Sequence, residues 1–130
     1  MSAEAAGPSL GISVETERLD EAGIVTSTRV EPDLALLAGH YPGFPIFPGV
    51  CLVDCAHQSV LVAARRLGQD VALEAIETTR FLGPVFPGDR VTTDVRLHPS
   101  TGGWLASGAL RSARGKVADV RLRYRLEEGS

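Results

Sequence analysis

Four polar side chains interrupt an otherwise apolar run between Val50 and Ala64: Asp54, His57, Gln58 and Ser59. In a helix, offsets of three and four residues bring the first three of these side chains to one face. Such a stripe often faces solvent, and that alternative stays open. The residues that flank Asp54 are aliphatic or small, however, and desolvation among them would raise the pKa of its carboxyl group. A carboxyl group that keeps its proton near neutral pH can act as a general acid.

A candidate base lies upstream of this run. His40 follows Gly39 in a segment, residues 38–50, that contains too many prolines and glycines for a regular element. Imidazole is the side chain best matched to proton abstraction near pH 7. The alternative is that His40 is an ordinary turn residue.

The third candidate group is the start of the predicted helix at Pro48-Gly49-Val50. Pro48 suits the first helical position, the first-turn N–H groups have no partner within the helix, and Gly49 allows a ligand to approach the backbone closely. A base, an acid and a carbonyl-polarising N–H are what elimination of water from a 3-hydroxyacyl thioester requires. Its α-proton is only weakly acidic until negative charge on the thioester oxygen is stabilised.

The elements that would position these groups follow from periodicity and chain breakers. Alternation predicts strands over Leu10–Val14 and Ile24–Val30, with a turn at Asp20–Gly23. A helix is predicted from Pro48 to Leu67; it is apolar almost all round and should be buried over most of its length. Four further strands are predicted over Ala72–Leu82, Arg90–Leu97, Trp104–Ser112 and Lys116–Leu126.

This order of elements predicts an α+β fold. A single helix with apolar residues on nearly every side cannot lie on a flat sheet, because its far side would be exposed to water. A curved antiparallel sheet must therefore wrap it. That arrangement, about six strands around one long central helix, is the hotdog fold. A chain of 130 residues can bury one sizeable core, and residues 10–130 are predicted to form one domain behind a loose tail of residues 1–9.

Composition excludes several classes of function. The net charge of −3 argues against a general nucleic-acid binder. No apolar stretch approaches the ~20 residues that a spanning helix needs, and no basic region precedes an apolar run at the start, so we expect no membrane segment and a cytoplasmic location. Cys51 and Cys55 lack disulfide geometry within one helix and have no C-x-x-C spacing, so we interpret them as core residues and expect no metal site.

The segment AGHYPGFPIFPGVCLVDCAHQ, residues 38–58, strongly resembles the signature segment of the hotdog 3-hydroxyacyl-acyl carrier protein dehydratases of fatty acid and polyketide synthesis. A second segment, TTRFLGPVFPGDRV at residues 78–91, resembles a later strand and turn of the same family. The resemblance implies that His40 is the catalytic histidine and Asp54 the catalytic carboxylate. It also implies that the N–H of Gly49 polarises the thioester carbonyl, and that Gln58 has a positioning role.

Three residues depart from the family pattern. Phe44 stands where a charged residue is common and Phe47 where methionine is common. With Pro48 and Val50, these aromatic residues are predicted to contact the substrate and to narrow or redirect the acyl pocket. His57 is an additional imidazole within one turn of Asp54, and a pairing of the two would lower the pKa of Asp54 and weaken the general-acid role.

The activity implied by the resemblance is removal of water from a 3-hydroxyacyl thioester on acyl carrier protein to give the trans-2-enoyl thioester. Such a hydro-lyase needs no cofactor. The resemblance also implies an obligate homodimer, or a higher oligomer built from dimers, in which His40 of one subunit faces Asp54 of the other. Two alternatives remain: an acyl thioesterase of the same fold, and a non-catalytic hotdog subunit that binds acyl chains or partner proteins.

Acyl carrier proteins are acidic, so their docking surface should be basic. The candidate residues are two arginines at the end of the predicted helix and three that alternate along the last strand: Arg65, Arg66, Arg121, Arg123 and Arg125. The alternative is that the strand arginines merely protect a sheet edge from aggregation.

Overall fold

Six antiparallel strands and one helix form the described part of the chain, which in this computed structural model comprises residues 12–30, 47 and 49–127. Along the sheet the strands run in the order β1-β2-β4-β5-β6-β3, and the helix contacts β2 to β6. This arrangement confirms the α+β hotdog fold. The elements are β1 (Glu15–Asp20), β2 (Gly23–Arg29), α1 (Gly49–Arg66), β3 (Val71–Phe81), β4 (Arg90–Ser100), β5 (Gly103–Ser112) and β6 (Gly115–Leu126).

The predicted turn at Asp20–Gly23 is confirmed, but the strand before it is not where the alternation placed it. Asp20 pairs with Gly23, and its Oδ1 accepts hydrogen bonds from the backbone N–H groups of Ala22 and Gly23 at 2.8 and 3.2 Å. The strand therefore runs directly into the turn as β1, whereas residues 12–14 belong to no strand and residues 10 and 11 lie outside the described residues. Because β1 is an exposed edge strand, Leu19 is its one apolar residue and it lacks an apolar alternation.

The helix ends almost where the sequence predicts. Gly68 has a φ of +71°, and the N–H groups of Gly68 and Gln69 donate to the carbonyls of Arg65 and Ala64 at 3.2 and 2.8 Å. This left-handed cap provides hydrogen-bond donors for carbonyls that have no partner within the helix. α1 therefore ends at Arg66, one residue before its predicted end at Leu67. No helix in the described part of the chain is long and apolar enough to cross a membrane.

The strands after the helix are confirmed with small shifts in their ends. The largest shift is in β4, which continues past its predicted end at Leu97 as far as Ser100. Ser100 pairs with Gly103, so Thr101 and Gly102 alone make the turn, and Gly102 supplies the positive φ of 74° that so short a connection needs.

One side of α1 supplies the core, and the opposite side is partly exposed. The prediction that the helix is buried over most of its length is confirmed, because no residue from Cys51 to Ala64 is exposed. Within the described residues the sheet covers the opposite side incompletely: Val50 is 62% exposed, and Val53 and Leu61 are only partly buried. The buried side consists of small and aliphatic residues: Cys51, Leu52, Cys55, Ala56, Ser59, Val60, Ala63 and Ala64.

A second uncovered apolar surface lies along the edge strand β3. Leu73, Ile76 and Phe81 pair with inward-facing residues of β6, so they project on the helix side of the sheet. They are nevertheless 37%, 54% and 52% exposed. We call this surface the β3 edge; it adjoins the start of α1, where Phe81 lies against Gly49.

The close approach of helix and sheet gives a testable prediction for stability. A Cβ at Gly108 of β5 would lie 3.5 Å from the Cβ of Ala56, so Ala56→Leu should overpack the core and lower the free energy of unfolding by about 1–3 kcal/mol. Ala109→Leu is the matched control, because Ala109 lines an open groove of about 540 Å³ on the opposite face of the sheet, and its cost should stay within about 0.5 kcal/mol. Urea denaturation measures both, and equal losses would contradict this packing.

Candidate active site

The polar stripe on α1 lies at the border between the core and the uncovered side of the helix. Asp54 is partly buried, and its Oδ2 atom is almost inaccessible and has no hydrogen-bond partner in the described residues. Its Oδ1 accepts a hydrogen bond from Gln58 Nε2 at 3.3 Å, one helical turn away. Gln58 thus has the contact that a positioning role requires.

Burial raises the pKa of Asp54, as the aliphatic surroundings predict. The hydrogen bond from Gln58 and the neighbouring His57 both oppose this rise, but burial is the larger effect. The carboxyl group is therefore biased towards its protonated form. Because Oδ2 of this group has no hydrogen-bond partner in the described residues, a proton held there is not engaged by another protein group and is suited to donation to a substrate hydroxyl.

The predicted influence of His57 on Asp54 is confirmed in direction, since His57 lowers the pKa of that carboxyl group, but burial outweighs it and the hydrogen-bond partner of His57 is Tyr124. His57 Nδ1 lies 2.7 Å from the hydroxyl oxygen of Tyr124, and the two rings stack at an interplanar angle of 10° with their centroids 5.8 Å apart. Tyr124 reaches the helix from β6, where it is 1% exposed. Burial lowers the pKa of His57 and raises that of Tyr124.

The start of the helix is the third component of the site. Gly49 is the first residue of α1, and a Cβ there would lie 2.9 Å from Cζ of Phe81. The ring of Phe81 therefore lies against the helix start while half of its surface stays exposed. Val50 follows on the open side, which is compatible with its predicted contact with substrate.

Sequence reasoning did not assign a role to Tyr124 or Phe81. Tyr124 carries a weak signal, since it occupies an inward position in the alternating strand β6, where a buried hydroxyl needs a partner. Phe81 lies within the second segment that carried the resemblance, but nothing in the segment shows that it contacts Gly49. Both contacts join residues that are far apart in the sequence.

The segment that precedes the helix is described at one residue only. Phe47 is 2% exposed, belongs to the core, and donates its backbone N–H to the carbonyl of Val85 at 2.7 Å. The structure thus places Phe47 in the core of the described chain and not at an open surface. His40, Phe44 and Pro48 lie outside the described residues, so their roles stay predictions.

Both cysteines are core residues, as predicted. Cys51 and Cys55 are free and fully buried. Burial raises the pKa of Cys51 to about 11 and that of Cys55 to about 12, and the nearby Asp54 contributes to both increases. Their side chains therefore remain protonated thiols and are poor nucleophiles.

The five candidate docking arginines lie in two places. Arg65 and Arg66 are exposed in the last turn of α1. On β6, the alternation is confirmed, but Arg123 donates to Glu77 and Ser100, and Arg125 donates to Glu127 at 3.1 Å. Arg121, which is exposed, makes no ion pair within the part of the chain that the structure describes. A docking role for any of the five stays a prediction.

The hotdog fold, with an acid-bearing stripe on its helix and a glycine at the helix start, places this chain in the class of dehydratase-like hotdog proteins. A family model described as ApeI-like, ApeI dehydratase, matches residues 15–118. The chain belongs to this ApeI-like dehydratase family.

Individual relatives agree with this family. The chain is similar to the 3-hydroxyacyl-[acyl-carrier-protein] dehydratase FabZ of Solibacter usitatus, with 37% identity over 91 residues that cover 66% of this chain and 53% of the relative. Similarity to the FabZ of Rhizobium johnstonii is 40% over 84 residues, covering 62% of this chain and 52% of the relative. The chain thus spans about half the length of the relatives it matches.

Solved structures share the fold. One is the dehydratase heterocomplex ApeI:P from Xenorhabdus doucetiae, with a TM-score of 0.69, 19% identity, and coverage of 85% of this chain and 94% of the other. Another is a hypothetical thioesterase with coenzyme A from Streptococcus pneumoniae TIGR4, with a TM-score of 0.73, 15% identity, and coverage of 88% and 86%. At these identities the likeness shows the fold alone.

The contact between Gly49 and Phe81 can be tested by a double-mutant cycle. Gly49→Ala should lower the free energy of unfolding in the natural chain, because the new Cβ displaces the ring of Phe81. In a Phe81→Ala background the same change should stabilise the chain by up to about 1 kcal/mol, since only the gain in helix propensity remains. Urea denaturation of the four proteins measures the coupling, and additive effects would show that the ring does not lie there.

Proposed function

We propose that this protein eliminates water from a 3-hydroxyacyl thioester carried on acyl carrier protein and forms the trans-2-enoyl thioester. This proposal is carried by one observation on Asp54: burial raises the pKa of its carboxyl group, and its Oδ2 has no hydrogen-bond partner in the described chain. Membership of a dehydratase family supports it independently.

The proposed reaction uses three groups. His40 removes a proton from C2, the electron pair forms the double bond, and the C3 hydroxyl leaves as water with the proton that Asp54 donates. The N–H of Gly49 at the helix start holds the thioester oxygen as negative charge develops there. Each positioned proton transfer typically contributes ~10²–10⁴ to the rate, and one such N–H ~10²–10³.

The raised pKa of Asp54 sets the direction of the pH dependence. The reaction needs the protonated acid, so the rate falls as pH rises through the pKa of this carboxyl group. It also needs an unprotonated His40, so the rate falls again at low pH. Raising the pKa of Asp54 therefore extends activity towards neutral pH, where an ordinary aspartate would be ionised.

The carrier-bound substrate is supported by the names of the relatives, which are 3-hydroxyacyl-[acyl-carrier-protein] dehydratases. The exposed arginines Arg65, Arg66 and Arg121 are positions at which an acidic carrier protein could dock without first breaking an ion pair within the described chain. A cytoplasmic location is part of the same proposal.

A second copy of the chain is proposed to complete the site. The β3 edge belongs to an 11-residue strand that ends the sheet and that pairs on one side only within the described residues, and its apolar side chains are exposed. The partly exposed side of α1 lies next to it. A second copy packed on both surfaces would bury them together and bring its His40 towards Asp54. Because the Xenorhabdus neighbour is a heterocomplex, a different chain is the alternative occupant.

The catalytic assignment predicts the loss of dehydration in two variants. His40→Ala and Asp54→Asn should each lower kcat/KM for a 3-hydroxyacyl thioester by at least about 10²-fold, because each removes one proton transfer. Enoyl absorbance is the measurement. Asp94→Asn is the matched control, since Asp94 lies on β4 on the opposite face of the sheet beside Arg96. Full activity in either variant would contradict the assignment, and release of free thiol would indicate a thioesterase.

Shared sites predict complementation between the two inactive variants. When His40→Ala and Asp54→Asn chains are mixed and allowed to exchange, half of the dimers carry one intact site out of two, so about a quarter of the activity should return. If both groups came from the same chain, no mixed dimer would contain an intact site. Absence of recovery, with exchange verified by size and mass, would therefore contradict a site shared between subunits.

A further inference from the structure

A buried polar pair next to Asp54 has no part in the proposed reaction. His57 on α1 and Tyr124 on β6 are joined by the 2.7 Å contact between Nδ1 and the phenol oxygen, and their rings stack. His57 lies one turn after Asp54, so the pair occupies the same helix face as the acid. Because the pair lies beside Asp54, the charge on its imidazole bears on the protonation of that acid.

The chemistry of the pair favours one protonation state. Burial raises the pKa of the Tyr124 phenol, which therefore keeps its proton and can donate it to Nδ1 of His57. A histidine that accepts at Nδ1 is neutral and carries its own proton on Nε2. Burial lowers the pKa of His57 and so favours the same neutral form.

The charge of His57 matters because Asp54 is close. A positive charge there acts against the protonated form of the acid, and His57 already opposes the rise in the pKa of Asp54. An imidazole freed from Tyr124 could turn towards water or towards the unpartnered Oδ2 of Asp54 and take up a proton. The carboxyl group would then be ionised in the resting enzyme and unable to donate.

We propose that Tyr124 and His57 form a positioning pair that holds a neutral imidazole beside Asp54, so that the proton needed for catalysis stays on the carboxyl group. The expected effect on the rate rests on the proposed dehydration. The neutral state of the imidazole does not, because it depends only on the contact between Tyr124 and His57.

The surroundings contain few competing groups. In the described residues, Asp54 is the one charged side chain that acts on the pKa of His57. On the sheet, the neighbours of Tyr124 across the ladder are apolar: Leu73 on β3 and Trp104 on β5. On α1, Cys51 and Cys55 are buried thiols that remain protonated. The hydroxyl of Tyr124 is therefore the neighbouring group that directly engages Nδ1 of His57.

The experiment compares Tyr124→Phe, His57→Gln and the double variant with the natural protein. Tyr124→Phe keeps the ring and removes only the hydroxyl. It should lower kcat/KM at pH 7 by about tenfold with KM little changed, and should move the alkaline limb of the pH profile to lower pH. His57→Gln cannot become charged and still offers an oxygen to the phenol, so its alkaline limb should not move to lower pH and should lie at or above that of the natural protein.

The double variant separates positioning from simple packing. If the freed imidazole causes the defect, removing it should restore the alkaline limb, so Tyr124→Phe/His57→Gln should resemble His57→Gln. If Tyr124 merely packs the core, the double variant should be at least as impaired as Tyr124→Phe. That result, or an unmoved limb in Tyr124→Phe, would overturn the proposal.

Nuclear magnetic resonance of the imidazole gives a readout that does not depend on activity. The His57 signals, assigned by their loss in His57→Gln, should show an Nε2–H tautomer and a titration below the ordinary histidine range, and Tyr124→Phe should raise that titration. An unchanged titration would refute the pair even in an active dehydratase. If the natural protein dehydrates no thioester while the titration behaves as expected, the proposed function fails and the pair stands.

Discussion

The packing of one side of α1 against the sheet is the interaction on which the candidate site depends. Small residues allow the helix to approach closely, as the contact between Ala56 and Gly108 shows, and that approach determines how deep the polar stripe lies. Asp54 ends at the border between the core and the open side, with one carboxyl oxygen almost inaccessible. A helix held further from the sheet would leave the same carboxyl group in water, where its pKa would be ordinary.

The protonation of Asp54 is a balance between burial and polar neighbours. Burial favours the neutral acid, whereas the amide of Gln58 and the imidazole of His57 favour the carboxylate. Gln58 cannot titrate, so its effect is constant. His57 can, and the contact with Tyr124 ties its charge to the packing of β6 against α1. The core thereby influences the chemistry of a residue that lies outside it.

Two adjacent surfaces of the described chain remain exposed next to the candidate site. The open side of α1 and the β3 edge are adjacent apolar surfaces, and Phe81 joins them at the helix start. Their exposure is costly in water unless another chain covers them. Membership of the ApeI-like dehydratase family and the position of Asp54 are consistent with a site that such a chain would enclose. The two surfaces thus connect the fold with the proposed reaction.

Local patterns determined much of this protein: the prolines and glycines bound α1, alternation marks the strands after it, and the spacing of Asp54 and Gln58 places their hydrogen bond within one helix. The exposed strand β1 escaped prediction because an edge strand needs no apolar alternation. Only the tertiary structure decided that His57 contacts Tyr124 rather than Asp54, since that partner comes from a strand 67 residues away. Which side chains meet across such a distance depends on strand register and on how deeply the helix packs against the sheet, and local periodicity determines neither.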